Sequence, residues 1–415
     1  MTALWPGTGA SRDKTGERQD EIESLTPQPH PRHPPDTGLR PWKVVLGSFS
    51  LTVPTFGLLS AVGLFPTYWR QTVLPHTSEG DAAWIIAVFG FLGCLFAAPA
   101  GVLFDRFCSG CPKGEGATPT TIALSVVGQW FDRRKGIATG CVTLGAPLGG
   151  IFFSLVLQIL FDRYPWRTAA LILAAIMAVF LLLGILLVET NPPAAPARGV
   201  SKDDSDSDAE PLRQEISHML LSSKFWLISY ALFAYELVLF IQWGSIPSYA
   251  VAANVGDKQF YLMMSYNIGA VLGRTLPPWL SDRLLGPLNA TVMMNMFTLL
   301  SVLAVWLPLG ASSIEALFVV VVLMGIGTGS FVPLGVSCIN ALCRPENTGT
   351  WLGSVYSIVS VATLIGNPVS AVILSRYQSN GLLAFLAAVL FSGMISAVAL
   401  RWLSHDRRWI FKARG

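Results

Sequence analysis

Apolar runs of bilayer-crossing length follow one another along most of the chain, broken by short charged clusters. Uncharged windows lie between Lys43 and Arg70, Asp81 and Asp105, Lys135 and Asp162, and Arg167 and Glu189. After a polar stretch they resume between Arg283 and Glu315, Glu315 and Arg344, Glu346 and Arg376, and Arg376 and Arg401. Two further apolar stretches each hold one charge, 225–251 (Glu236) and 259–280 (Arg274). A helix needs about 20 apolar residues to cross the hydrocarbon layer, because in lipid every backbone N–H and C=O must be bonded within the segment. The pattern predicts ten spans, four before the polar stretch and six after it. Gly and Pro recur inside them, as membrane helices tolerate.

The polar segments divide the chain. Residues 1–43 are read as a disordered cytoplasmic tail, 44–188 as an incomplete N-terminal helical bundle and 189–224 as a cytoplasmic linker. Residues 225–404 make a C-terminal six-helix bundle, and 405–415 a cytoplasmic tail. The linker carries Asn191-Pro192-Pro193 and the acidic, serine-rich run 201–208. Such a segment buries too little apolar area to order itself.

Composition agrees with the pattern. The 415 residues are 52% hydrophobic and only 13% charged, against roughly 25% charged in soluble domains. That excludes an ordinary soluble enzyme, a nucleic-acid binder and a fibrous protein. The first forty residues hold no apolar run, so no cleavable signal peptide is expected. The six cysteines do not form the spaced set of a secreted disulfide framework.

The two halves share ordered fragments. Pro66-Thr67-Tyr68 matches Pro247-Ser248-Tyr249, and Leu103-Phe104-Asp105-Arg106 matches Leu280-Ser281-Asp282-Arg283. Gly136, Gly140, Arg163 and Tyr164 match Gly349, Gly353, Arg376 and Tyr377. Their common order predicts two pseudo-repeated six-helix bundles, the parallel repeat of a major facilitator. Asp105 and Gly136 are 31 positions apart, whereas Asp282 and Gly349 are 67 apart. The first half is thus 36 residues short, where its third span and the start of the fourth belong. The expected fold is an all-α polytopic membrane protein with 10–11 spans in place of 12. With both termini inside, 21 Lys and Arg face the cytoplasm and 5 the exterior, as the positive-inside rule requires.

Few residues offer chemistry. Arg274 stands fourteen positions after Phe260 and nine before Arg283, too deep for a simple interfacial residue. A charge there usually faces a bundle interior, and a guanidinium matches carboxylate geometry; the alternative is an arginine snorkelling to the headgroups. Glu236 lies mid-span, where a carboxyl that binds and releases a proton couples transport to a proton gradient. It otherwise pairs with Arg274 in the absence of solute, or serves structure alone. Asn267, seven positions before Arg274, completes the substrate-binding candidates. The pairs Asp105-Arg106 and Asp282-Arg283 end two spans and are gating candidates, or interfacial anchors. Gly136, Gly140, Gly145, Gly149 and Gly150 suit close helix packing. Gly325-Ile326-Gly327-Thr328-Gly329 lacks the preceding strand of a dinucleotide loop. Cys108-x-x-Cys111 has no second pair to complete a metal site. No catalytic set is present, so no enzyme, cofactor or metal is expected.

Asp36-Thr37-Gly38-Leu39-Arg40-Pro41-Trp42 resembles the lead-in to the first helix of monocarboxylate-porter-type major facilitators. Gln129-Trp130-Phe131-Asp132-Arg133-Arg134-Lys135-Gly136-Ile137-Ala138-Thr139-Gly140 resembles that family's second signature. Phe89-Gly90-Phe91-Leu92 through Phe104-Asp105-Arg106 is similar to its fungal branch. The resemblance covers roughly 36–404, apart from 107–117. Lactate carriers of the family place an aspartate four positions before the eighth-helix arginine, here Ala270, and a lysine late in the first helix, here Ser60. The resemblance therefore implies a carrier of another solute class, such as a vitamin or a secondary metabolite.

The reading that follows is a secondary transporter in the plasma membrane, working by alternating access on a weakly acidic metabolite that it exports. Its partners are that solute, the lipid bilayer and protons as coupling ion, with no nucleic acid; the oligomeric state is left open. Uptake of a monocarboxylate or vitamin is the alternative. A non-transporting sensor or inactive remnant is a third reading, resting on the shortfall.

Overall fold

The computed structural model describes residues 38–73, 79–96, 130–131, 135–189, 216–252, 258–309, 313–343 and 348–404. Among them all regular structure is helical. The rods are α1 (Leu39–Ser60), α2 (Glu79–Leu95), α3 (Ala138–Arg163) and α4 (Trp166–Leu187), then α5 (Ser223–Ala252) and α6 (Gln259–Leu280). They continue with α7 (Pro287–Leu309), α8 (Ile314–Leu342) and the stretch Thr348–Ser404. Gln378, with φ of 58°, interrupts that last stretch and separates α9 (348–377) from α10 (379–404). These ten rods fall on the ten apolar runs of the sequence. Seven segments are long and apolar enough to cross a membrane, the last of which contains both α9 and α10. The apolar part of α2 is shorter, and α6 is diluted by the polar residues discussed below.

Some boundaries move. The first helix starts at Leu39 rather than 44, because Pro41 sits in its first turn, where a missing N–H costs nothing. Residues 216–221, assigned to the linker, include a helical turn. Met219 there is buried and the Leu220 carbonyl accepts a bond of 2.8 Å from Trp226 Nε1, so this apolar end of the segment packs against the helix that follows it. The tails, the linker from 190 to 215, and the interval 97–129 with its shortfall and Cys108 and Cys111 lie outside the described residues.

Prolines loosen several rods. Pro54 opens a π-helical turn over Val53–Gly57, and another, Ser281–Leu285, follows Pro277 and Pro278; a proline removes one rung of the ladder and widens the turn.

Glycines set the tightest contacts. A Cβ on Gly57 of α1 would lie 2.7 Å from the Gly149 Cα of α3, and one on Gly145 would strike Thr52. At the same seam Thr52 Oγ1 donates to the Val142 carbonyl at 2.9 Å. Thr52→Val should cost about 1 kcal/mol, the net worth of one such bond, read as a small fall in the melting temperature of the purified protein. Gly140, expected to pack, has nothing within 4 Å of a Cβ. A second seam joins α6 to α8. A Cβ on Gly273 would lie 2.9 Å from the Ile326 carbonyl carbon, and one on Gly329 would lie 2.8 Å from the Ala270 Cα. The glycine run Gly325–Gly329 is thus a packing surface.

The halves meet chiefly along two helix pairs, α3 on α6 and α2 on α9. Ser357 Oγ of α9 donates to the Leu95 carbonyl of α2 at 3.2 Å. The sequence repeats equate α2 with α6 and α3 with α9. A two-fold relation between bundles then requires that a contact of α3 with α6 be accompanied by one of α9 with α2, and both exist.

Candidate solute site between the halves

The inner face of α6 carries Tyr266, Ala270 and Arg274 at spacing four, which stacks them on one side of a helix. All three are buried, Arg274 being 4% exposed. Its Nη1 donates to the Thr143 carbonyl of α3 at 2.9 Å, and its Nε has no partner among the described residues. The side chain therefore turns inward, across the junction of the halves. The snorkelling alternative is excluded by that direction.

Glu236 is 5% exposed and shares a face of α5 with Phe240 and Trp243. Among the described residues no hydrogen bond or ion pair reaches its carboxylate, so the direct pair with Arg274 is not formed here. The two charges still sense each other electrostatically, together with Tyr266 and Tyr356, and Cys94 senses Glu236. Cys94 and Tyr356 are partly buried. The groups that interact with Glu236 and Arg274 thus come from both halves, Cys94 from α2 and Tyr266 and Tyr356 from α6 and α9. Tyr266 is held in place by a 2.7 Å bond between its hydroxyl and that of Thr328.

Asn267 is buried and donates from Nδ2 to the Met263 carbonyl at 2.9 Å. A Cβ on Gly150 would lie 2.5 Å from its Oδ1 and would also meet Ser60 Oγ. Ser60 and Asn267 therefore face each other across Gly150, and Ser60 bonds the Gly57 carbonyl at 2.8 Å.

Beyond that level the halves close. A Cβ on Gly63 would strike the Trp243 carbonyl of the other half. What remains is a cavity of about 30 Å³ bordered by Pro66, Ser245, Asn367 and Ser370, room for little more than a water. At the opposite end Asp282 and Arg283 are exposed, the guanidinium lying 4.6 Å from the Trp279 ring centre. Asp105 and Arg106 lie outside the described residues.

A family model described as Major Facilitator Superfamily matches residues 114–310 and 262–415, together well over half of the chain. The chain belongs to that superfamily. Among curated proteins, this major facilitator is 26% identical to MFS-type transporter hasB of Aspergillus fumigatus over 415 residues, which is 90% of this chain and 92% of that protein. It is 25% identical to the agnestins efflux protein AgnL12 of Paecilomyces divaricatus, covering 89% of each. The crystal structure of the human organic anion transporter MFSD10 (TETRAN) superposes with a TM-score of 0.61 at 12% identity, covering 86% of this chain and 99% of that one. At that identity the likeness concerns the fold. It establishes the major facilitator architecture for this integral membrane transporter.

Major facilitators place solute between their two halves near the midplane, and here Arg274 bonds the Thr143 carbonyl of the opposite half. Of the substrate candidates, Arg274 bonds the opposite half at Thr143 and Asn267 lies against Ser60 across Gly150, while Glu236 is buried on α5 without a hydrogen bond among the described residues. Thr143, Tyr266, Tyr356 and Cys94 were not singled out in the sequence. A signal for the tyrosines existed, since a phenol within an apolar span needs a partner for its hydroxyl. Thr143 contributes only a backbone carbonyl, which no residue type announces.

Proposed function

We propose that this major facilitator is a secondary transporter that exports a weakly acidic secondary metabolite by alternating access, with Arg274 binding the solute's anionic group and Glu236 carrying the coupled proton. The observation that supports the reading most is the half-used guanidinium of Arg274, buried between the halves with its Nε unpartnered. A buried cation with spare donors is costly unless it receives an acceptor, and an anionic solute supplies one. Glu236 interacts electrostatically with Arg274 and is free of hydrogen bonds among the described residues, so protonation there alters the field felt by Arg274 without breaking a structural contact. Efflux is favoured by the printed names of relatives such as AgnL12, cytoplasmic termini by the distribution of basic residues, and the plasma membrane is the membrane across which export would act. The monocarboxylate-porter resemblance and the missing third span of the first bundle belong to the same reading.

The solute is identified by comparing metabolites inside and outside cells with and without the gene, the expected result being retention of an acidic compound in cells lacking it. In vesicles loaded with that compound, Glu236→Gln should still permit exchange down a concentration gradient. It should lose acceleration by an imposed pH gradient, because the amide has no proton to give up. Undiminished pH-driven flux in Glu236→Gln would remove the carboxyl from the coupling role.

A further inference from the structure

The carbonyl that Arg274 binds is free for a specific reason. In an α-helix the Thr143 carbonyl accepts the N–H of residue 147, and residue 147 is Pro147, which has no N–H. The helix is interrupted there, one stretch ending at Thr143 and the next beginning at Gly145, with the Leu144 N–H bonding the Gly140 carbonyl at 3.0 Å and the Leu148 N–H the Leu144 carbonyl at 3.1 Å. One rung is missing, and Arg274 of the opposite half occupies it at 2.9 Å. Thr143 is buried, so water is a poor substitute for the guanidinium at that site.

We infer that the Thr143 carbonyl, released by Pro147, is the resident ligand of Arg274, that a solute carboxylate taking the guanidinium end-on through both Nη atoms displaces it, and that this makes Pro147 and Thr143 specificity-determining residues. The inference rests on Arg274 being the anion anchor proposed above and adds what fills that anchor when it is empty. A neutral acceptor already bonds the guanidinium. A solute offering only another neutral carbonyl exchanges like for like and gains little. A carboxylate or enolate gains, because hydrogen bonds between ionised partners are roughly twice as strong as neutral ones. The Thr143 carbonyl therefore selects for anions. The bond also crosses the junction of the halves, so its exchange for solute removes a tie between α3 and α6. Binding and separation of the halves are then one event, as a ligand that shifts a conformational equilibrium by differential contact requires.

Spin labels at Leu186 of α4 and Leu276 of α6, both exposed and on opposite halves, report the separation in the full chain with its native cysteines replaced by serine. Without solute, the unsubstituted sequence should give one short distance. Pro147→Ala, which restores an N–H for the Thr143 carbonyl, should add a longer population, as should Arg274→Ala. The double variant should open no further than either single one, since both break the same bond. Benzoate should shift the parent toward the longer distance and benzamide should not, while Pro147→Ala should lose that preference. An unchanged distribution in Pro147→Ala, or additive opening in the double variant, overturns the inference. Opening in both single variants with no response of the parent to benzoate upholds the tie and counts against Arg274 as an anion anchor.

Discussion

Replacing Arg274 by alanine should lower carrier-mediated efflux of the retained metabolite about tenfold to a hundredfold with the protein still folded. The size follows from the bond lost: hydrogen bonds to charged groups are worth about 1.5–3 kcal/mol, and each 1.36 kcal/mol is a factor of ten. The residue is 4% exposed and bonds a backbone carbonyl of the other half, so the loss falls on the junction where solute is taken up rather than on the core of either bundle. Arg274→Lys should recover little of the flux. An ammonium keeps the charge but loses the planar fork that a carboxylate engages bidentately. The measurement is the initial rate of efflux from loaded vesicles, with reconstituted protein quantified in each preparation. Efflux of Arg274→Ala equal to that of the parent would remove this arginine from the solute path.

Gly325→Val should be as damaging by another route. On α8, Gly325 faces the Tyr266 carbonyl of α6, and a Cβ there would also lie 3.0 Å from the Ala270 nitrogen. These are backbone atoms and cannot swing aside. Gly269 and Gly273 present the reciprocal pair toward Val322 and Ile326. Two helices that meet through glycines four apart lie close enough for extensive van der Waals contact, and membrane helices depend on such packing because lipid supplies no hydrophobic drive between them. Forcing a branched side chain into this seam should cost about 3 kcal/mol or more, the upper range for overpacking. It should also displace Tyr266 from Thr328. The expected observation is loss of the monodisperse peak on size exclusion after detergent extraction. Gly140→Ala is the control: nothing lies within 4 Å of the added Cβ, and the change should be neutral or slightly stabilising, as alanine is the better helix former. A Gly325→Val protein as stable as the Gly140→Ala control would show that the α6–α8 seam yields.

Arg274 was conspicuous in the sequence because a permanent charge inside an apolar run violates the pattern, and such violations gather at functional sites. Its environment was not. Whether it snorkelled, paired with Glu236 or faced the other half depends on which helix packs against α6, and residues 131 positions apart make the contact. Pro147 offers a partial exception: a proline inside an apolar helix always releases the carbonyl four residues earlier, so a free acceptor at Thr143 was deducible while its donor was not. Gly140 and Gly145 illustrate the same limit. They share a helix and a residue type, yet only Gly145 meets another rod, because a helix presents one face to its neighbour and the pattern of glycines does not say which.

Among the described residues, the chain by itself determined the order and approximate extent of its apolar rods, since a bilayer leaves the backbone no alternative to helix. It also determined that the halves repeat, because equivalent bundles keep equivalent turns and termini. Only the tertiary structure decided what the inward faces do to one another: that Arg274 holds a carbonyl of the opposite half, that Glu236 stands near it unbonded among the described residues, and that Ser60 and Asn267 close on Gly150. Those arrangements come from packing between elements distant in sequence, where one ångström separates a hydrogen bond from none, and hydropathy carries no information at that scale.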